Sequence, residues 1–290
     1  MIETSMHFLR QNELYASTKP YSLRFEPPAG FPRSNITLDR REDLKIEDCR
    51  SIIDRFSLHK QGFAIMNLES KMKYQDYEND ASIVDIYLSE VADALRSLFS
   101  ASHVQIFEHT VRKRHAEFPF ATGEPYRWNQ PTSMAHVDTT PTWAADMVRR
   151  LNGSKAEALL RGRIQCVNVW KPLKGPVRDW PLALCDARTV DAERDLEPSD
   201  LVYSEYVVEN RQCYHSDRHK WWYISDQQPN EAWVFMQSDS NPGAVSGVAH
   251  SAFPNPLSKA EDPPRESIEA RALVYYAEAD VVEGNHSRRT

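Results

Sequence analysis

The stretch RIQCVNVW, residues 163–170, sets the fold class: it is short, apolar and rich in β-branched side chains, as a buried strand is. Working outward from it, runs of the same kind follow one another. HVQIFEHTVR (103–112) precedes it, and LALCDA (182–187), LVYSEYVV (201–208), KWWYIS (220–225), EAWVFMQ (231–237), AVSGVAH (244–250) and SIEARALVYY (267–276) come after. Turn-formers separate them, among them Lys174-Gly175-Pro176, Asn241-Pro242-Gly243 and Asp262-Pro263-Pro264. About eight strands at this spacing predict a sandwich or barrel, with a jelly roll among the options. One helix-like interlude, TWAADMVRRLNG (142–153) with Leu159 and Leu160 beyond it, lies between the first of these strands and the second.

Before residue 101 the pattern is different. Ile83, Tyr87, Val91, Leu95 and Leu98, with Val84 and Ile86, form one wide apolar stripe at helical spacing over residues 81–100, and residues 43–56 show the same period. Between them GFAIMNL (62–68) reads as a short buried strand. Residues 15–45 contain KPYSLRFEPPAGFPRSN (19–35), rich in Pro and Arg with scattered aromatics, which predicts an extended arm with little regular structure. The expected organisation is one mainly β domain over residues 1–290: an arm at 1–45, a helical flank at 46–100 and a β core at 101–280.

The chain has 290 residues and is 41% hydrophobic, enough to form a core, and only 9 are Gly, which argues against a glycine-cradled nucleotide fold. No run approaches the roughly 20 apolar residues of a membrane span. A net charge of −7 argues against a broad grip on nucleic acid. The N-terminal MIETSMHFLR lacks the basic head and apolar stretch of a secretory signal, so a cytoplasmic location is expected. Cys49, Cys166, Cys185 and Cys213 lie far apart, suggesting neither a zinc knuckle nor a disulfide frame. Cys166 and Cys185, inside apolar runs, read as buried thiols.

On a strand, His and a carboxylate at i and i+2 project to one side and reach one metal ion. Three such pairs occur: His115 with Glu117, His136 with Asp138, and His215 with Asp217. With 10 His and 42 acids in 290 positions, chance predicts roughly 1.4, so context must discriminate. His115 follows the basic run Arg112-Lys113-Arg114, and His215 sits in a charged turn. His136 and Asp138 are followed by 111 residues and several strand-like runs before His250, room for a third ligand from a later strand of the same sheet. A 2-oxoglutarate enzyme also needs a buried cation for the distal carboxylate of that acid. Arg265 and Arg271 lie 15 and 21 residues after His250, and alternation puts Arg265, Ser267, Glu269 and Arg271 on one face of the last strand. Salt bridges from Arg271 to Glu269 or from Arg265 to Glu266 are the competing use of these side chains.

The chain resembles the iron(II)/2-oxoglutarate-type hydroxylases and desaturases of fungal and bacterial secondary metabolism, which include gibberellin desaturase and the small protein of cephamycin 7-methoxylation. The matching residues are HTVRKR (109–114), AHVDTT (135–140), NVWKPLKGPVRDWPLALCDARTV (168–190), WWYISDQQPNEAWVFMQSDS (221–240), HSAFPNP (250–256) and PPRESIEARALVYY (263–276), in the family's order. The resemblance implies a double-stranded β-helix of the jelly-roll, cupin-like kind, with Fe(II) on His136, Asp138 and His250. It also implies 2-oxoglutarate on Arg265 or Arg271 with Ser267 assisting, and O2 as the further co-substrate. Spacing from His250 favours Arg265, whereas position inside an apolar strand favours Arg271. Lys171 and Gln237 depart from the family pattern, where Arg and a basic residue are expected. The expected reaction is hydrogen-atom abstraction from a small-molecule substrate, giving hydroxylation, desaturation or oxidative cyclisation.

Asn168 and Trp170, on one side of their strand, and Arg112 and Arg114, alternate residues at a strand end, are the candidate substrate contacts. A core role for Trp170 and a solvated edge for the two Arg compete with that reading, and the Trp221-Trp222-Tyr223 cluster is most simply core. Two other functions fit two His and an Asp on a barrel: a zinc hydrolase, in which the Arg and Ser clamp has no role, and a metal-free accessory barrel. The sequence leaves a homo-oligomer open.

Overall fold

The β-type runs fold into two sheets, seen in a computed structural model that describes residues 1–120, 124–245 and 247–276. In chain order the strands are β1 (Ile2–Leu9), β2 (Tyr21–Leu23), β3 (Leu38–Asp48), β4 (Phe63–Asn67), β5 (His103–Lys113), β6 (His136–Val137), β7 (Ile164–Pro172), β8 (Leu182–Cys185), β9 (Leu196–Val202), β10 (Val207–Cys213), β11 (Trp221–Tyr223), β12 (Glu231–Asp239), β13 (His250–Ala252) and β14 (Glu266–Tyr275). One sheet has the order β1-β3-β11-β8-β13-β6-β10-β9-β2 and the other β4-β12-β7-β14-β5. Together they form a mainly β, double-stranded β-helix with flanking helices.

Each sheet owes its position to the face it buries. On β7 and β14, Val167, Val169, Ile268, Ala270, Ala272 and Val274 point away from the barrel into a core shared with Tyr87, Val91 and Leu95. Those last residues belong to a helical stretch made of Asp80–Ser82, a π turn at Ile83–Tyr87, and Leu88–Phe99. Its start is capped by the Asn79 side chain, which accepts from the N–H groups of Ala81 and Ser82. Val91 and Leu95 are fully buried, each contributing about 1.5–3 kcal/mol against exposure. A second core lies on the nine-stranded sheet, where Met6, Phe8, Leu44 and Ile46 meet Val137, Ala183, Cys185 and Trp221.

That second core corrects the expected arm. Within residues 1–45, β1 pairs antiparallel with β3, β3 pairs parallel with β11, and the short β2 pairs with β9. It also corrects the helix expected at 43–56. Leu44 and Ile46 are buried and Lys45 is exposed, a period of two, so this stretch completes β3 and only Arg50–Arg55 turns, as a 3₁₀ helix. LVYSEYVV is a hairpin rather than one strand: Tyr203 N–H donates to Tyr206 O where β9 turns into β10. AVSGVAH becomes regular strand only at His250. The end of the expected β core, at 277–280, lies outside the described residues.

The remaining expectations hold in local form. The run 62–68 supplies β4, and the interlude at 142–153 is the helix Pro141–Asn152, with the Thr140 hydroxyl accepting from Trp143 N–H at its start. Trp221 and Tyr223 are core residues, and all four cysteines are buried free thiols. Among the described residues no helix is long and apolar enough to cross a membrane.

Candidate metal centre and co-substrate pocket

Strand register brings the two histidines together. β6 lies between β10 and β13, and in the β6–β13 pair His136 and His250 are directly opposite, with ring centroids 4.4 Å apart. Asp138 follows His136 by two residues, and its carboxylate closes the group: Oδ1 lies 3.3 Å from His136 Nε2 and Oδ2 lies 3.4 Å from His250 Nε2. The ligand-type atoms of these three residues all lie within 4.8 Å of one another. His250 and Asp138 are buried, and the edge of the Phe235 ring packs on His250 at 4.9 Å.

The donor set fits a divalent metal on the evidence of its own hydrogen bonds. His136 Nδ1 lies 2.7 Å from Met134 O and His250 Nδ1 lies 3.1 Å from Val248 O. A carbonyl only accepts, so each Nδ1 carries a proton and each Nε2 is the ring atom left to face the centre. Asp138 is held from three sides. Its N–H donates to Gln237 Oε1 at 2.7 Å, its Oδ2 accepts from Asn168 Nδ2 at 2.6 Å, and its Oδ1 accepts from Arg271 Nη2 at 2.9 Å. Burial opposes ionisation of Asp138, but Arg271 and His250 outweigh it and keep the carboxyl well below the usual carboxylate range. The result is two imidazole Nε2 atoms and one carboxylate facing a single point, a donor set that suits Fe(II) chemistry with open positions once a metal takes the place of the Nε2 protons.

The two candidate arginines have different surroundings. Arg271 is ringed by acids: besides Asp138, its guanidinium reaches Glu108 at 2.8 Å and Glu269 at 3.1 Å. Burial works against its charge, but Asp138, Glu269 and Glu108 hold it protonated, above the ordinary Arg range. Arg265 is the more deeply buried of the two, yet among the described residues it makes no ion pair. Its Nη1 donates to Trp180 O at 3.0 Å, its guanidinium lies over the Trp170 ring at 5.5 Å, and its Nε has no partner. Burial, and then the nearby Arg112, push its pKa down to about 9, so it stays charged at neutral pH. Ser267 Oγ, two residues on, is likewise buried without a partner. Arg265, Arg112, Thr132 and Trp170 line one small pocket together with His136, Asp138 and His250.

The expected substrate contacts divide. Asn168 and Trp170 do face the barrel interior, one on Asp138 and the other under Arg265. Arg112 reaches the pocket, with Nη1 on Gln130 O at 2.9 Å. Arg114 is not brought there: its Nε is on Asp179 Oδ2 at 2.5 Å and its Nη1 on the carbonyls of His115, Ala116 and Phe118. Arg271 is engaged by the metal-facing carboxylate, and its bond to Glu269 is the salt bridge weighed from sequence. Arg265 does not pair with Glu266, which holds Lys113 and Lys174 instead.

Lys171, the unexpected residue of β7, points outward. Its Nζ donates to Pro229 O at 2.9 Å under the rings of Tyr77 and Tyr87. Gln237 stands behind Asp138, where its amide oxygen accepts from the Asp138 N–H. Thr132, Ser251 and Trp180 were not singled out from sequence. Ser251 carries the one available signal, adjacency to His250; Thr132 reaches the pocket from a loop without periodicity, and Trp180 meets it at Arg265, through its carbonyl. The other His and acid pairs are local: Glu117 N–H donates to His115 Nδ1, and His215 lies 3.9 Å from an exposed Asp217.

Comparison with known proteins agrees with this geometry. Residues 6–275 match the family model described as "Oxidoreductase/YMDC permease-like domain". The chain is 32% identical over 260 residues to the Fe(II)/2-oxoglutarate-dependent dioxygenase nvfI of Aspergillus novofumigatus, covering 87% of this chain and 89% of that one. It is 31% identical over 259 residues to the hydroxylase/desaturase efuI of Hormonema carpetanum, covering 82% and 85%. A solved structure of the iron and α-ketoglutarate-dependent endoperoxidase NvfI superposes with a TM-score of 0.83 at 29% identity, over 96% of this chain and 98% of the other. The zinc-hydrolase and accessory-barrel readings give way: the chain belongs to the Fe(II)/2-oxoglutarate-dependent dioxygenases, oxidoreductases that use Fe(II), 2-oxoglutarate and O2.

Proposed function

We propose that His136, Asp138 and His250 hold Fe(II), that Arg265 with Ser267 takes the distal carboxylate of 2-oxoglutarate, and that residues 1–290 act as one oxygenase domain on a small molecule of the secondary-metabolite type. The observation that carries the metal assignment is the pair of Nδ1-to-carbonyl hydrogen bonds, which turns both Nε2 atoms toward the Asp138 carboxylate. Support for Arg265 is its lack of an acidic partner, beside a Ser hydroxyl that also lacks one. A buried cation without a counter-ion is costly, and a carboxylate supplied by the co-substrate removes that cost.

Fe(II), with 2-oxoglutarate and O2, supplies an oxidant that removes a hydrogen atom from substrate while 2-oxoglutarate is decarboxylated to succinate. The chain's own residues position and shield that chemistry. Asn168 and Arg271 hold the two Asp138 oxygens, Phe235 braces His250, and Trp170 lies beneath Arg265. Arg112 adds a second positive charge to the co-substrate end, and Asn168 and Trp170 complete the wall against which substrate is placed. Hydroxylation, desaturation or oxidative cyclisation then depends on what the substrate radical does next. Titration with Mn(II), followed by electron paramagnetic resonance, tests the metal assignment. A single equivalent should bind wild type and none should bind His136→Ala or Asp138→Ala; undiminished binding in either variant would move the metal elsewhere.

A further inference from the structure

We propose that Trp180 is a positioning residue for the co-substrate clamp: its left-handed backbone turns its carbonyl onto Arg265 and fixes which edge of that guanidinium faces the pocket. This rests on the reading of Arg265 as the clamp. Trp180 has φ +44°, a conformation that bulky residues rarely adopt. Pro181, next in the chain, restricts it further toward extended geometry. Such a backbone persists only where its surroundings over-determine it.

Here they do. On one side Asp179 Oδ2 accepts both Arg114 Nε at 2.5 Å and the Arg265 backbone N–H at 3.0 Å. On the other, Leu182 begins β8, which pairs with the strand carrying His250. The Trp180 ring is buried edge-on against Phe118, with centroids 4.9 Å apart. Between these anchors the Trp180 carbonyl meets Arg265 Nη1 at 3.0 Å.

The consequence is electrostatic. Asp179 is the acid adjoining this turn, and an ion pair between it and the Arg265 side chain would neutralise the clamp. Arg114 and a backbone N–H already engage its Oδ2, and the turned carbonyl gives Arg265 a neutral acceptor in its place. The guanidinium's own hydrogen bond is thus to a dipole; Asp179 and Glu269 act on its charge only from a distance, and its direct pairing is left for a ligand carboxylate.

Isothermal titration of 2-oxoglutarate into the Mn(II)-loaded protein tests this with a matched pair of variants. Trp180→Asn and Trp180→Val both remove the indole, but Asn enters the left-handed region readily and Val does not. Trp180→Val should bind 2-oxoglutarate about tenfold more weakly than Trp180→Asn, with Mn(II) affinity the same in both. Equal 2-oxoglutarate affinities in the pair would overturn the proposal. Should Trp180→Val not fold, Trp180→Gly decides: affinity within about threefold of wild type supports the proposal, and a loss of about tenfold overturns it, since glycine adopts positive φ without strain. Arg265→Ala separates the two levels. If it binds 2-oxoglutarate as wild type does, the clamp assignment itself fails; if it loses binding while the matched pair is indistinguishable, only the role of Trp180 fails.

Discussion

Asn168 shows how much a single side chain contributes to the centre. Its Nδ2 holds Asp138 Oδ2 at 2.6 Å while its Oδ1 is buried without a partner, so the amide has no other hydrogen-bond role among the described residues. Asn168→Ala should weaken Mn(II) binding about 10–100-fold, the usual cost of losing a group that orients a ligand, with little change in melting temperature. Much of this was readable beforehand. His136, Asp138 and His250 could be singled out because strand alternation and the number of intervening strands are properties of sequence. The division of labour between Arg265 and Arg271 was not, because both lie on one face of β14 and only the cross-strand register shows Glu108 opposite Arg271. Gln237 was visible only as an oddity, since its bond to the Asp138 N–H joins residues 99 apart in the chain.

At the scale of elements, two features make distinct predictions. The segment before β13 turns through Gly247, whose φ is +143° and where a Cβ would lie 2.3 Å from Arg211 Nη2 and 2.8 Å from a Val137 methyl. Gly247→Ala should cost about 2–4 kcal/mol in a denaturant melt and weaken metal binding with it, because the same turn delivers His250. On the outer face of β7, burial pushes Lys171 down to about 8 from an unfolded value of 10.5. Between those values the unfolded chain binds the extra proton, so stability from this residue rises with pH from about 8 to 10.5, and below 8 the full burial penalty applies. Lys171→Met should therefore stabilise the protein at pH 7 by up to about 3 kcal/mol, with the difference from wild type shrinking as pH passes 10. A difference that is constant across this range would show that Lys171 keeps its ordinary pKa in the folded state. The alternation in residues 43–48 was legible in principle, but Leu44, Cys49, Ile52, Ile53 and Phe56 also fit a helical period, and only pairing with β1 decides between them.

For the whole molecule, the N-terminal strands are structural rather than peripheral. Phe8 is fully buried against His215 and Trp221, so Phe8→Ala should cost about 3–5 kcal/mol by thermal or chemical unfolding, as in a central core position. A loss below 1 kcal/mol would restore the peripheral arm. The central claim is that one barrel interior joins a three-residue Fe(II) centre to a 2-oxoglutarate clamp at Arg265. Anaerobic isothermal titration of 2-oxoglutarate into the Fe(II)-loaded protein tests it most directly. Iron-dependent binding should disappear in His136→Ala and in Arg265→Ala, while Arg271→Gln should weaken the iron site and bind the co-substrate once iron is saturating. Binding that survives Arg265→Ala and is lost in iron-saturated Arg271→Gln, or that is absent from every form, would contradict it.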